Sequence, residues 1–194
     1  IITEYNPFHN GHLYHIEESR RKTGADFTVA LMSGNFVQRG ELAMMDKWER
    51  SSLAVQCGAD LILELPYAYA CNGAARFAEG AVGILDGLGC VTHLGFGSES
   101  GNLEELSSVA AVLADETPAF REALKSNMKR GMPFAKAREE ALAAVAGGQA
   151  AKAVTSPNNI LAVEYLRQII LTKSDIKPVT IKRQGPGYMD ADPI

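Results

Sequence analysis

In the first hundred residues, short apolar runs alternate with longer stretches whose apolar positions recur at helical spacing. Ile1-Ile2-Thr3 is a β-branched run. Phe27-Thr28-Val29-Ala30-Leu31-Met32, Leu61-Ile62-Leu63-Glu64-Leu65 and Val91-Thr92-His93-Leu94 read as three further strands. Between them the pattern predicts helices from about Gly11 to Thr23, stopped by Gly24, and from Asp46 as N-cap to Cys57, stopped by Gly58. A third runs from Ala74 to Leu88, before Gly89. Strands alternating with helices of this length imply a parallel sheet covered on both faces. The expected fold is α/β and Rossmann-like.

After residue 100 the strand pattern gives way to helical spacing. Leu103, Leu106, Val109 or Ala110, and Leu113 define one helix; Pro118 to Asn127 and Pro133 to Ala146 fit two more, the latter ending at Gly147-Gly148. Asn158 to Leu171 is predicted as a helix with Ile160, Val163, Leu166 and Ile170 on its buried face. Pro178 to Lys182 returns to a strand pattern. The expected organisation is a Rossmann-like core over residues 1–100, inserted helices over 101–172, and over 173–194 a last strand that rejoins the sheet, with its following loop.

Composition adds limits. At 194 residues and 46% hydrophobic, the chain can build one substantial core. The net charge of −4 argues against a globally basic nucleic-acid-binding domain. The charge is uneven, however: residues 46–116 hold 11 acids and 3 bases, 121–140 hold 6 bases and 3 acids, and 152–183 hold 6 bases and 2 acids. That asymmetry permits a local polyanion-binding face, although a charge run is more often a solvated surface. Cys57, Cys71 and Cys90 have no CxxC spacing and are expected to be buried free thiols of a reducing cytoplasm. No apolar stretch is long enough to span a bilayer, so no membrane partner is expected. The chain opens inside a strand pattern, with no signal peptide and no initiator Met, so residues are expected before Ile1.

The chemistry concentrates at Glu4-Tyr5-Asn6-Pro7-Phe8-His9-Asn10-Gly11-His12. Pro7 ends the first strand, and Gly11 lets something bulky lie against the backbone between two histidines. A helix N-terminus with two imidazoles beside it suits a phosphoryl group whose charge is developing. The plainer reading is a strand–turn–helix with satisfied histidines. A zinc reading also exists, because His9, His12 and His15 recur every third residue. Gly11 has no role in such a site, and no Cys or carboxylate stands at partner spacing. The expected site therefore holds no protein-bound metal.

Other unusual loops also follow strands, and in open parallel sheets ligands sit at the carboxyl ends of the strands. They are Ser33 to Lys47, Pro66 to Arg76, Gly95 to Glu99, and Arg183 to Tyr188. The loop from Ser33 to Lys47 carries Asn35, Gln38, Arg39 and Lys47, with Arg50 beyond, around Gly34 and Gly40. These are candidate contacts for a carboxylic substrate or for phosphates. Gly97 allows close approach to the backbone. Ser156 can cap a helix that begins at Pro157, and Asn158-Asn159 is more than capping requires. Arg183 at a strand end suits a phosphate, or else simply makes a basic edge. His93 reads as an ordinary core or edge histidine.

The opening stretch resembles the first signature of the nucleotidyltransferase superfamily with the His-x-Gly-His motif. Taken with Ser33-Gly34-Asn35-Phe36-Val37-Gln38-Arg39-Gly40-Glu41 and Ser156-Pro157-Asn158-Asn159-Ile160-Leu161, the whole chain resembles the bacterial tRNA(Met) cytidine acetate ligase family. The resemblance implies ATP and Mg²⁺, activation of acetate to acetyl-adenylate, and acetylation of the wobble cytidine of elongator tRNA(Met) in the cytoplasm. It implies His9 and His12 as catalytic residues. Nucleotide contacts are implied along Ile2, Thr3, Glu4, Tyr5, Asn6, Pro7, Phe8, Asn10, Gly11 and His15, and at Gly97, Asn158 (Asn159 as the alternative) and Arg183. The superfamily's second signature, a Ser/Thr-rich turn ending in Ile-Arg, has no match before Ile194, and the ligase family's helical C-terminal region is not in the sequence. Two other readings stay open: an adenylyltransferase acting on a phosphorylated metabolite of the nicotinate mononucleotide or phosphopantetheine type, and a nucleotide-binding module without catalysis.

Overall fold

The computed structural model describes residues 1–183. In chain order the elements are β1 (Ile2–Thr3), α1 (Asn10–Thr23), β2 (Val29–Ser33), α2 (Lys47–Gln56), β3 (Leu61–Leu65), α3 (Tyr67–Ala70), α4 (Ala74–Gly87) and β4 (His93–Ser98). They continue with α5 (Leu103–Asp115), α6 (Pro118–Lys129), α7 (Phe134–Ala146), α8 (Gly148–Lys152), α9 (Pro157–Thr172) and β5 (Lys177–Lys182). Every strand pair is parallel. β2 lies between β1 and β3, with Ile2 opposite Leu31 and Leu31 opposite Leu63. β5 runs beside β4, with Phe96 opposite Thr180.

The single ladder expected from the sequence is thus divided into a three-stranded and a two-stranded part. β1 contributes only two residues. Where β4 passes it, a Cβ on Gly95 would lie 2.5 Å from Ser19 Oγ and 3.3 Å from Ile1 Cγ2. Glycine at this position lets α1 and the first residues pack onto β4 without a ladder.

Strand and helix starts follow local chemistry. Asp46 Oδ1 accepts from the amides of Trp48 and Glu49 at 2.8 and 2.9 Å, capping α2. Gly24, at φ 64°, closes α1 in the left-handed conformation. β2 begins two residues later than predicted because Phe27 is exposed. Two short helices, α3 and α8, were not anticipated: α3 lies within the loop after β3, and α8 starts at the glycine pair expected to end α7.

One apolar cluster joins the strands to the inserted helices. It includes Leu31 and Leu65, Phe77 and Leu85 of α4, Leu106 and Leu113 of α5, Phe120 of α6, and Val163 and Leu166 of α9. Truncating any of these leucines to alanine is expected to cost ~2–5 kcal/mol. The predicted face of α9 needs correction. Asn159, Ala162, Val163, Glu164, Tyr165, Leu166 and Gln168 are buried, whereas Ile170 is exposed and Ile160 half-buried. α9 packs between α4 and α5 and against β4, so more than one stripe is covered. Buried Glu164 is held by Arg138 of α7 at 2.5 Å and by Arg167 at 3.4 Å. The cysteines are free, but the expectation of burial fails: Cys57 and Cys71 are half-buried, and Cys90 is exposed in the turn after α4. No helix among the described residues is long and apolar enough to cross a membrane.

Candidate active site

Parallel pairing carries the carboxyl ends of β1, β2 and β3 to one edge of their sheet and those of β4 and β5 to one edge of theirs. At β1 the chain passes Tyr5, at φ 49°, and a cis Asn6–Pro7 peptide before α1 begins. The Tyr5 ring is buried and forms a floor, 4.8 Å from the Phe8 ring and 5.0 Å from the His12 ring, centroid to centroid.

His9 is the N-cap of α1. Its Nδ1 accepts from the Gly11 amide at 3.0 Å, while the His9 amide donates to His12 Nδ1 at 3.3 Å. This is a reciprocal capping pair made by two imidazoles. A Cβ on Gly11 would lie 2.8 Å from His9 Cε1, so the bulky group that glycine admits here is the His9 ring itself. The two rings stack with centroids 3.8 Å apart.

The chemical consequence concerns protons. Each Nδ1 accepts from a backbone N–H, so in the neutral ring the proton sits on Nε2. Burial, then the neighbouring His9, His15 and Arg183, lowers the His12 pKa to about 3. Burial and the Arg183 charge lower that of His9. Burial, chiefly, lowers that of His15 to about 4. Near neutral pH the α1 N-terminus therefore carries neutral Nε2–H donors. Such donors stabilise negative charge without needing a proton from solvent.

The other half of the edge is built around Glu99. Its carboxylate accepts from Ser156 Oγ at 3.2 Å, Asn158 N at 3.2 Å, Asn158 Nδ2 at 2.7 Å and Asn159 N at 2.8 Å. Asn159 Oδ1 accepts in return from the amides of Glu99 and Ser100 at 3.0 and 3.3 Å. Ser156 makes no capping bond of its own; Glu99 caps α9 from a different loop. Burial raises the Glu99 pKa, but the bonds from Asn158 and Asn159 outweigh it and hold the carboxyl below its ordinary value. Arg183 closes this side, its amide donating to Ser98 O at 3.0 Å and its Cγ lying 3.6 Å from where a Cβ on Gly97 would be.

Comparison with known proteins now places the chain. The model of the HIGH nucleotidyl transferase family matches residues 1–193. The chain belongs to that family. It is 52% identical over 189 residues to the tRNA(Met) cytidine acetate ligase of Caldanaerobacter subterraneus subsp. tengcongensis, covering 97% of this chain and 47% of the relative. To the enzyme of the same name from Syntrophomonas wolfei it is 48% identical, covering 99% of this chain and 47% of the relative. A crystal structure of Thermotoga maritima TmcAL bound with alpha-thio ATP superposes with a TM-score of 0.91 at 42% identity, covering 95% of this chain and 46% of that one. The chain thus spans about half the length of the relatives it matches.

Within this HIGH nucleotidyl transferase fold the predicted residues fall into several sets. His9, His12, Gly97 and Arg183 come together, since the Arg183 charge is felt by all three nearby histidines. Asn158 and Asn159 lie at the same end of β4. Ile2, Thr3, Glu4 and Asn6 belong to β1 and its turn; Glu4 Oε1 accepts from the Gln38 amide and Asn6 Oδ1 from the Met44 amide, both at 2.6 Å. Asn35, Gln38 and Arg39 lie in a small hairpin after β2, where Phe36 pairs with Leu42. Lys47 donates to Glu64 Oε2 at 2.6 Å.

Arg50 departs from the sequence reading, which placed it among the ligand-binding cations. It is fully buried. Nε reaches Met45 O at 3.0 Å, Nη1 reaches Glu4 O at 2.6 Å and Ser33 O at 3.1 Å, and Nη2 donates to Gly34 O. It fastens the loops after β1 and β2 to α2. Glu99 and Glu64 had no assigned role. Their partners stand 57 to 60 and 17 residues away, beyond any local spacing signal. In the loop from Arg183 to Tyr188, residues 184–188 lie outside the described residues.

Proposed function

We propose that this chain is the catalytic half of a tRNA(Met) cytidine acetate ligase, with His9 and His12 as the groups that act on phosphate. The observation that carries the phosphoryl chemistry is the reciprocal capping at the α1 N-terminus, in which the Nδ1 atoms of His9 and His12 both accept backbone amides and leave Nε2 to act as the donor. The choice of acetate and tRNA(Met) rests on the similarity to ligases of that name and to TmcAL bound with alpha-thio ATP.

In this reading an acetate oxygen attacks the α-phosphorus of ATP, forming an O–P bond as the bond to pyrophosphate breaks. Positioning and charge stabilisation supply most of the catalysis. His12 Nε2–H, with His9 Nε2–H beside it, donates to phosphate oxygens as negative charge shifts toward the leaving group. Gly97, Asn158 and Arg183 hold the nucleotide on the β4 side, and the backbone from Ile2 to Gly11, with His15, borders it on the β1 side. The cytidine amine then attacks the acetyl carbonyl; AMP leaves and the amine loses a proton. Among the described residues no three His, Cys, Asp or Glu side chains converge on a common point. Mg²⁺ would neutralise charge on the triphosphate.

The test is pyrophosphate exchange into ATP with the full-length protein, with and without acetate and tRNA(Met). Exchange that depends on acetate supports the reading. Exchange that ignores acetate but follows nicotinate mononucleotide or phosphopantetheine overturns it.

A further inference from the structure

The Glu99 cap carries one bond more than capping requires. The backbone amides of Asn158 and Asn159 and the Ser156 hydroxyl already engage both carboxylate oxygens. The fourth donor, Asn158 Nδ2, is the closest of them at 2.7 Å. It adds nothing to the helix end, but it fixes the amide. An ionised carboxylate only accepts hydrogen bonds, so Nδ2 must face Glu99 and Oδ1 must turn away from it. Asn158 Oδ1 has no hydrogen-bond partner among the described residues, yet it is not buried; it opens to solvent. Asn159 is arranged the other way. Its Oδ1 is taken by the amides of Glu99 and Ser100, and the residue is 5% exposed. Of the two asparagines, Asn158 is the one whose carbonyl is free for a ligand.

That carbonyl stands beside the crevice where a nucleotide belongs. β1 to β3 extend to one side and β4 with β5 to the other, and Ile1 and Ser19 close against Gly95 where the two parts meet. In an open parallel sheet the ligand crevice lies outside the carboxyl ends of the strands at such a reversal. Here His9 and His12 flank it after β1, and Gly97 and Glu99 flank it at the end of β4. An amide that offers Oδ1 with an N–H beside it matches one purine edge. Adenine presents its 6-amino group as donor and N7 as acceptor, the pair that asparagine reads bidentately; guanine has the acceptor O6 in place of the amino group.

We infer that Glu99 is the positioning residue for base selection: it holds Asn158 with Oδ1 toward the adenine amino group, so that O6 of guanine would meet an oxygen instead of a donor. This rests on the proposed nucleotide site and adds to it the pair of residues that favours ATP over GTP. Glu99 touches no part of the nucleotide itself and acts through the amide it orients.

The experiment compares ATP with inosine triphosphate, which carries O6 but lacks the 2-amino group of guanine, so bulk at that position plays no part. Full-length protein is used for acetate-dependent pyrophosphate exchange, and for titration calorimetry of each nucleotide without acetate. The unsubstituted protein should favour ATP ~10- to 100-fold in both measurements; a ratio near one overturns the proposal. In Glu99→Ala the amide is free to turn, and in Asn158→Ala it is gone. In each the preference should shrink ~10-fold, ATP losing while inosine triphosphate stays nearly level. A bond that served the fold alone would weaken both nucleotides together, and an unchanged ratio in both variants overturns the proposal. So does a ratio lost in only one of them, because the amide then reads the base without Glu99, or Glu99 acts without the amide. Where Glu99→Ala does not fold, Glu99→Gln takes its place: it keeps the length of the side chain but, with a donor of its own, no longer dictates which end of the amide faces it. Failure of acetate to drive exchange in the unsubstituted protein is a different result: it removes the ligase reading, while the calorimetric ratio still decides the base reading.

Discussion

Two helix N-termini face the candidate site, and they are capped in opposite ways. At α1 the cap is a neutral imidazole pair, which satisfies backbone amides while leaving the positive end of the helix uncompensated. At α9 the cap is the Glu99 carboxylate, which takes two backbone amides and neutralises that end. An anion is therefore welcomed at α1 and repelled at α9. In the proposed reading this difference divides the labour: phosphoryl chemistry beside His9 and His12, and the uncharged parts of a nucleotide beside Asn158.

The largest effect that would break this contrast is at α1. His12→Ala removes an Nε2–H donor, and acetate-dependent pyrophosphate exchange should fall ~100- to 1000-fold. His9→Ser keeps a good N-cap but removes the second imidazole. Its exchange rate should fall too, while its unfolding free energy in urea stays within ~0.5 kcal/mol of wild type. If His12→Ala loses less than a few-fold, the imidazole pair is only a cap, and the two helix ends do not differ in chemistry.

The contrast was only half legible in the sequence. Helix α1, its stop at Gly24, the Asp46 cap and the strand Leu61–Leu65 depend on neighbours within a few positions, so local pattern sufficed. The pairing of the two histidines is local for the same reason, since their partners are each other and Gly11, and it made them a candidate phosphate site. Glu99 could not, because it caps a helix that begins almost sixty residues later. Arg50 misled for a related reason: a guanidinium near a polar loop looks like a ligand until its burial among four carbonyls is seen. The buried face of α9 was misplaced because periodicity reveals one stripe, whereas this helix is packed on several sides.

At α9 the expected effects are smaller and divide between stability and binding. Asn159→Ala leaves the Glu99 and Ser100 amides without their acceptor in a buried place, and should cost ~1–3 kcal/mol in urea denaturation. Glu99→Ala removes the cap, costing ~1–2 kcal/mol, and frees the Asn158 amide it holds. Its KM for ATP should rise ~10-fold, the equivalent of one hydrogen bond, with kcat changed far less. Asn158→Ala should raise the KM with little loss of stability. If instead Glu99→Ala lowers kcat as much as His12→Ala does, the α9 end takes part in the chemistry, and the division of labour between the two helices is wrong.

The smallest effect is the pH dependence of stability, and it separates the two caps by window. His12 and His15 have folded pKa values of about 3 and about 4, below the ordinary histidine value of 6.5. The unfolded chain therefore binds protons that the folded chain refuses, and stability falls as pH drops from about 6.5 toward those values. Each histidine contributes a slope of at most ~1.4 kcal/mol per pH unit inside that window. Glu99, also held below its ordinary value, adds a loss that begins only near the carboxylate range, below about pH 5. Replacing His12 with Asn should flatten the decline between pH 6.5 and 5 and leave the steeper acid limb intact. Glu99→Gln should do the reverse. A wild-type stability curve that stays level between pH 6.5 and 5 would mean that the imidazoles are hydrated and charge freely, and the neutral donors on which the α1 site depends would be lost with them.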